Sequence, residues 1–377
     1  MKVGLDVGST TIKCVVLDDA DNLVYSTYER HYSHILEKSE ELLRRVADQH
    51  GAKADLAISG SAGMGMAESV QVPFVQEVFA TRVAANKLAP GTDCIIELGG
   101  EDAKILFLTG GMEVRMNGSC AGGTGAFIDQ MATLMNVTVN ELDELSLRHE
   151  KIYPIASRCG VFAKSDIQPI LNQGGRKEDV AASIFQAVVD QTVAGLTQGR
   201  ELKGTIVFLG GPLHFLQGLR ERFVDTLHLD SDHAVFPQDG DCFAAIGAAL
   251  CTEAGQTRPF EEVLDLLEHA ANVASPVDTM EPLFTSQAEY EAFAARHQAM
   301  TVPRLDLSTY TGPAYLGIDA GSTTTKMVLI DPEGSILFEY YGSNQGNPVR
   351  IVLPQLRELY AQCGDRVEIK GAAVTGY

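Results

Sequence analysis

No apolar run in the 377 residues approaches the ~20 needed to cross a bilayer as a helix. The chain opens directly on a strand-like KVGLDV, without a signal-peptide pattern. No membrane partner is therefore expected, and the protein is expected in the cytoplasm. Basic residues are scarce: 29 Lys and Arg stand against 50 Asp and Glu, for a net charge of −21. Such a chain lacks the basic footprint that grips a phosphate backbone, which excludes nucleic acid as a main partner. Cysteine occurs seven times but never as CxxC. An odd number without that spacing is not a disulfide framework. Cys14 in IKCVVL and Cys94 in DCIIEL read as small buried hydrophobes, and Cys242 and Cys251 as packing residues on a helix of small residues. Two common nucleotide motifs are missing as well. There is no GxxxxGK(S/T), and the glycine turns lead into strands rather than into the helix of a Rossmann fingerprint.

What is present begins with a repetition. GLDVGSTTIK at 4–13 returns as GIDAGSTTTK at 317–326. Over residues 4–18 and 317–331 nine of fifteen positions are identical: Gly4, Asp6, Gly8, Ser9, Thr10, Thr11, Lys13, Val15 and Asp18. Later segments correspond too, DNLVYSTYER with GSILFEYYGS and LAISGS with AAVTGY. This predicts a duplicated module whose second copy reaches only its first lobe, as in the leading part of a longer tandem protein. Periodicity predicts strands at KVGLDV, TIKCVVLD, DNLVYSTYER, KADLAIS, DCIIEL, ILFLTGG, MEVRMN and GTIVFL. It predicts helices over 33–50, 125–135, 162–172, 178–199 and 348–362. The expected class is α/β. Residues 1–90 read as a first lobe and 91–252 as a second. Residues 253–313, with five prolines and no glycine between Gly255 and Gly312, read as a linker or helical excursion, and 314–377 as the repeated first lobe.

Three glycine turns follow apolar strands: DVGST at 6–10, ELGGED at 97–102 and FLGGP at 208–212. Glycine in a tight turn lets backbone N–H groups approach an anion closely. Ser9, Thr10 and Thr11 add hydroxyl donors, and Asp6 at the strand end is placed to hold a divalent metal through water. Each turn alone reads as a hairpin. Three in order, with carboxylates at the first two, describe two lobes that clamp a nucleotide. On these residues the chain resembles the superfamily of acetate kinase, sugar kinases, Hsp70 and actin. That resemblance implies an actin-like ATPase (ribonuclease H-like) fold: two lobes, each a mixed five-stranded sheet flanked by helices, with ATP or ADP and Mg²⁺ between them. DVGSTTIK would be the first phosphate loop, ELGGEDAK the second and FLGGPLHF the adenosine motif. By the same resemblance Asp6 positions Mg²⁺ or its waters. Gly8, Ser9, Thr10 and Thr11 cradle the β- and γ-phosphates, assisted by Lys13. Glu97 stands at the second loop, Gly99 and Gly100 contact phosphate, and Asp102 holds metal. Gly210, Gly211 and Pro212 bound the adenosine.

NGSCAGGTGAFIDQMA at 117–132 and ASRCGVFAKSDI at 156–167 place Cys120 and Cys159 just ahead of predicted helices, where the dipole favours a thiolate. These paired motifs, set between the second phosphate loop and the adenosine loop, resemble the activator family of 2-hydroxyacyl-CoA dehydratases, which includes the ATPase subunits of benzoyl-CoA reductases. The resemblance covers about residues 1–253 and starts again at 315. It implies a homodimer in which Cys120 and Cys159 of two subunits hold one 4Fe–4S cluster. ATP would drive a low-potential electron, received from a flavodoxin- or ferredoxin-type donor, into a dehydratase or reductase component. The chain departs from the family at three points. Glu97 replaces an Asp. Glu101 replaces a neutral Gln, so a carboxylate stands where an attacking water is oriented, as base or as a repelling charge, and slow hydrolysis is expected. Pro212 removes a backbone donor from the adenosine motif. His214 reads as a surface histidine at a helix start. Asp319, Gly321, Ser322, Thr323 and Lys326 form half of a second nucleotide site. Two alternative readings are a small-molecule kinase of the same superfamily and a non-catalytic ATP-binding module without the cluster.

Overall fold

The structure, a computed structural model, describes the chain except for residues 119–121, 157–158, 253–255, 272–279, 322, 345–346 and 377. The first elements are β1 (Lys2–Val7), β2 (Thr11–Leu17), β3 (Leu23–Arg30), α1 (Ile35–His50), β4 (Lys53–Ser59), α2 (Gly63–Ser69) and α3 (Glu77–Leu88). Next come β5 (Cys94–Leu98), β6 (Ala103–Phe107), β7 (Glu113–Met116), α4 (Gly125–Met135), α5 (Val139–Ser146), α6 (Gly160–Asn172) and α7 (Lys177–Thr197). They are followed by β8 (Ile206–Leu209), α8 (Gly211–Phe215), α9 (Gln217–Leu227), β9 (Ala234–Val235), α10 (Phe243–Leu250), β10 (Arg258–Pro259) and α11 (Phe260–Ala271). The last are α12 (Gln287–Gln298), β11 (Gly312–Ala320), β12 (Thr324–Ile330), β13 (Ile336–Ser343), α13 (Pro348–Cys363) and β14 (Val367–Thr375).

Three sheets result, in the orders β10-β4-β1-β2-β3, β7-β6-β5-β8-β9 and β13-β12-β11-β14. Each is built on one unit. The leading strand runs antiparallel to the next (β1 with β2, β5 with β6, β11 with β12) and parallel to a later one (β4, β8 and β14). Contacts divide the chain into two compact units, Met1–Thr133 with Val137–Ala163 and Glu178–Ala274, and Leu134–Asn136 with Lys164–Lys177 and Ser275–Tyr377.

In the first unit both faces of the first sheet are covered. Val3, Leu5, Val7, Ile12, Cys14 and Val16 pack with Leu42, Leu43 and Val46 of α1. On the opposite face α10 crosses β1 so closely that a Cβ at Gly4 would collide with the backbone at Ala245. A Cβ at Gly247 would meet Ala80 of α3 in the same way. The small residues of FAAIGAAL are what let α10 fill this space. α7 is long and apolar enough to span a bilayer by composition, yet Val180, Ile184, Phe185, Val188 and Val189 are buried within the protein.

The segment expected to be a linker or helical excursion, 253–313, begins by completing the first lobe. β10 pairs with β4, Arg258 against Ala54 and Pro259 against Lys53. Phe260, Val263, Leu264 and Leu267 of α11 join the α1 core. Their i, i+3, i+4, i+7 spacing is the helical stripe that such burial needs. In the second unit, Leu316, Ile318, Met327 and Leu329 pack with Leu359 and Cys363 of α13, whereas α12 buries none of its residues.

Candidate functional site

The three glycine turns expected to bind nucleotide do not all share one shape. The first two, and the turn of the repeat, are the same device. The N–H of the leading glycine donates to the carbonyl three residues on, Gly8 to Thr11 at 2.9 Å, Gly99 to Asp102 at 2.8 Å and Gly321 to Thr324 at 3.0 Å. A polar residue following the third strand buckles each turn. His31 Nε2–H donates to Gly8 O at 3.0 Å, and its Nδ1 accepts from the Ser33 N–H. Asn344 Nδ2 donates to Gly321 O at 2.6 Å. Asn117 spans the second turn, its Oδ1 accepting from Ala103 N–H at 2.8 Å while its Nδ2 donates to Glu101 O at 3.2 Å. The third glycine turn leads into a helix. Gly210, at φ +90°, caps α8, and Pro212 sits in its first turn, where a helical N–H has no partner to lose.

Charge concentrates where the first two turns meet. Asp6 and Lys13 are register partners across β1 and β2, with Nζ 2.9 Å from Oδ2. Burial opposes charge on Lys13, but the Asp6 carboxylate outweighs it and raises the lysine above its ordinary range. Asp6 Oδ1 is buried and has no hydrogen-bond partner. Glu97 and Lys104 repeat the register across β5 and β6. Lys104 Nζ stays 3.8 Å from Glu97 and reaches Glu77 at 2.5 Å and Asp102 at 2.6 Å. Its side chain is only 2% exposed. Burial opposes its charge, and Glu97, Glu77 and Asp102 together more than restore it. Burial, then Asp6, push the Glu77 carboxyl up to about 7 against the pull of Lys104. Burial raises Glu97 as well.

Four carboxylates thus face two ammonium groups, and an orphaned acceptor stands among them. That donor set suits a hard divalent cation. Among the described residues no three His, Cys, Asp or Glu side chains converge closely enough to hold a metal by themselves. Mg²⁺ at Asp6 Oδ1 would therefore draw its other ligands from water and phosphate, as that ion prefers.

The four carboxylates and Lys13 line a polar slot of about 30 Å³ together with Gly8, Ser9, Thr10, Thr11, Gly100 and Gly211. That is room for only a water or two. Beside it lies an apolar cavity of about 240 Å³ lined by Ile128, Val139, Asn140, Pro212, Phe215 and Leu216 among others. Thr10, Thr11, Tyr28, Gly100 and Gly211 line both. The two lobes close on each other here. A Cβ at Gly100 would strike the Thr10 side chain, and one at Gly211 would strike the Tyr28 hydroxyl. Arg30 bridges to Asp129 at 2.8 Å across the apolar cavity.

Asp6, Gly8, Ser9, Thr10, Thr11, Lys13, Glu97, Gly99, Gly100, Asp102, Gly210 and Gly211 all line the slot, and Pro212 lines the cavity. Glu101 is exposed and lines neither; its side chain is not brought to the cleft. Cys120 and Ser322 lie outside the described residues. Cys159 is partly exposed just ahead of α6. Cys14 and Cys94 are buried, and burial pushes their thiols up to about 12. His214 is three-quarters covered rather than a surface residue, with Nδ1 3.6 Å from Asp241.

Sequence reasoning passed over Lys104, Glu77, Asn117 and Tyr28. A signal for Lys104 was available, because Asp6–Lys13, Glu97–Lys104 and Asp319–Lys326 are all seven residues apart. Glu77 had none. It stands at the start of α3, far in sequence from both turns, and only folding brings it there.

Comparison with known proteins identifies the fold and the family. The (R)-2-hydroxyglutaryl-CoA dehydratase activating ATPase of Acidaminococcus fermentans is 30% identical over 213 residues, covering 55% of this chain and 82% of its own. The 2-hydroxyisocaproyl-CoA dehydratase activator of Clostridioides difficile is 30% identical over 215 residues, covering 55% and 80%. The crystal structure of component A of the A. fermentans dehydratase superimposes with a TM-score of 0.60 at 25% identity, over 70% of this chain and 98% of that one. The C. difficile activator, solved with bound ADPNP, superimposes with a TM-score of 0.56 at 26% identity, over 73% and 99%. The α/β, actin-like ATPase fold expected from the three turns is the fold of these activators. The model of the BadF/BadG/BcrA/BcrD ATPase family matches residues 3–252, and the chain belongs to that family.

Proposed function

We propose that this protein is an ATP-dependent electron-transfer activator for a dehydratase or reductase acting on acyl-CoA substrates. The triphosphate would occupy the slot between residues 8–11 and 99–100, with Mg²⁺ at Asp6 Oδ1, and the adenosine would enter the apolar cavity beyond Tyr28. The slot is too narrow for a triphosphate as it stands, so nucleotide entry must part the Thr10–Gly100 and Tyr28–Gly211 contacts. That parting is the conformational work available to the activator.

One observation carries the reading. The segment bearing Cys120 is tied to the second phosphate turn at both ends. Asn117 holds Ala103 and Glu101 before it. After it, the N–H groups of Gly125 and Ala126 donate to Gly99 O at 3.0 Å and Gly100 O at 2.7 Å. A γ-phosphate arriving at Gly99 and Gly100 pulls on the same peptide groups that anchor this segment. Cys120 and Cys159 of two subunits would hold a 4Fe–4S cluster, which supplies one-electron chemistry at low potential. Val161 and Phe162, 73% and 65% exposed immediately after Cys159, offer an apolar surface for the second subunit or the enzyme partner.

Iron and acid-labile sulfide, counted per chain after anaerobic purification, test this. The expected result is about two irons per chain in the wild type, lost in Cys159→Ser. No iron after reconstitution sinks the electron-transfer role and leaves an ATP-binding module.

A further inference from the structure

We infer that Glu77, held in place by Lys104, orients the water that attacks the γ-phosphate, and that Glu101 in the second phosphate turn does not. This rests on the ATPase reading above and adds a residue that no motif of the chain points to.

The argument is one of placement and elimination. Glu77 lines the same slot as both phosphate turns. One of its oxygens, Oε1, is fixed by Lys104 Nζ at 2.5 Å. The other has no protein hydrogen-bond partner among the described residues, and the side chain is 20% exposed. A carboxylate with one oxygen anchored and one free toward a phosphate site is what holding a nucleophilic water requires. The acidic side chains of the two phosphate turns and their strands are committed elsewhere, and Asp241, which also lines the slot, stands 3.6 Å from His214 Nδ1 beside the third turn. Asp6 is engaged by Lys13, and its buried free oxygen suits the metal. Asp102 gives Oδ2 to Lys104 at 2.6 Å and folds Oδ1 against Gly99. Glu97 is 13% exposed, with Oε1 3.8 Å from Lys104 Nζ and Oε2 accepting from Thr81 Oγ1 at 3.5 Å. Glu101, the acidic residue that stands where relatives by resemblance carry Gln, faces away into solvent.

Lys104 is a positioning residue in this arrangement. It is buried, and its ammonium joins α3 to the second turn through Glu77 and Asp102 at once. In the step itself, the water oxygen bonds to the γ-phosphorus. The bond from that phosphorus to the β–γ bridging oxygen breaks, and ADP leaves with its electron pair. The proton of the water passes to Glu77 and then to solvent.

The test is single-turnover ATP hydrolysis together with equilibrium binding of ADP and Mg²⁺, on the full chain. Glu77→Gln should slow hydrolysis about 100-fold or more while ADP affinity stays within about threefold. Retained binding also shows that the variant folds. Glu101→Gln should stay within about threefold of wild type in both measurements. Lys104→Arg, which keeps the charge in a different shape, should lower the hydrolysis rate more than ADP affinity. Hydrolysis retained in Glu77→Gln, or lost equally in Glu101→Gln, overturns the inference. A wild type that binds ADP but never hydrolyses ATP overturns it too, while leaving nucleotide binding intact. A wild type that binds no nucleotide overturns both.

Discussion

The first lobe and its repeat near residue 317 are the same local structure in different surroundings. Both place an aspartate and a lysine seven residues apart across a hairpin, with Nζ 2.9 Å from Oδ2 in each. In the first lobe the pair is nearly sealed, Lys13 at 14% and Asp6 at 4% exposure, whereas Lys326 and Asp319 are both at 40%. Gly4 lies under α10, with no space for a methyl group. Gly317, its counterpart, would bring a Cβ only to Val328 Cγ1 at 3.3 Å. Turn geometry is therefore a local property of the sequence. Burial is not, and burial decides whether an ion pair is a solvated strand-end contact or a strongly coupled group beside a phosphate site.

This contrast is open to attack, and the largest effect should come from the glycines. Gly4→Ala drives a Cβ into the α10 backbone and should destabilise the first unit by about 4 kcal/mol or more. Gly317→Ala should change the second unit by less than about 1 kcal/mol. Hydrogen exchange of the β1 and β11 amides reads the two separately, and equal losses at both sites would erase the distinction.

The lysines come next. Lys13→Met leaves Asp6 buried and uncompensated, at a cost of about 3 kcal/mol, while Lys326→Met removes a solvated pair worth about 0–1 kcal/mol. Denaturant titration followed at the same two sets of amides decides. The aspartates separate the two sites by ligand rather than stability. Asp6→Asn should weaken Mg²⁺-dependent ADP binding about tenfold, or ~1.4 kcal/mol. Asp319→Asn should leave it unchanged. A matching loss at Asp319 would mean that the repeat binds nucleotide on its own.

Much of this was legible in the sequence. The duplication located two of the sheets, and the glycine turns located the slot, because a tight turn after an apolar strand is specified by residues within ten positions of one another. Helix and strand periods placed β1, β2, β5, α6 and α7 close to where they lie, while β6 begins two residues before the expected ILFLTGG and ends at Phe107. The failures share a cause. α11 was read as part of a linker or helical excursion because its apolar stripe acquires meaning only against α1, which lies more than 200 residues earlier. Glu101 was singled out because, by resemblance, it stands where the family carries Gln, yet the turn leaves it exposed and outside the slot. Glu77 and Lys104 were missed for the opposite reason, since 27 residues separate partners that touch.

The sequence by itself determined the repeated strand–turn–strand units, their register and their seven-residue acid–lysine pairs, since these depend on short-range sterics and backbone hydrogen bonds. Only the tertiary structure decided which of those pairs is buried and which carboxylate faces the slot. Desolvation and close packing are set by groups that meet in space, and the helices that cover the first hairpin come from residues 35 to 271.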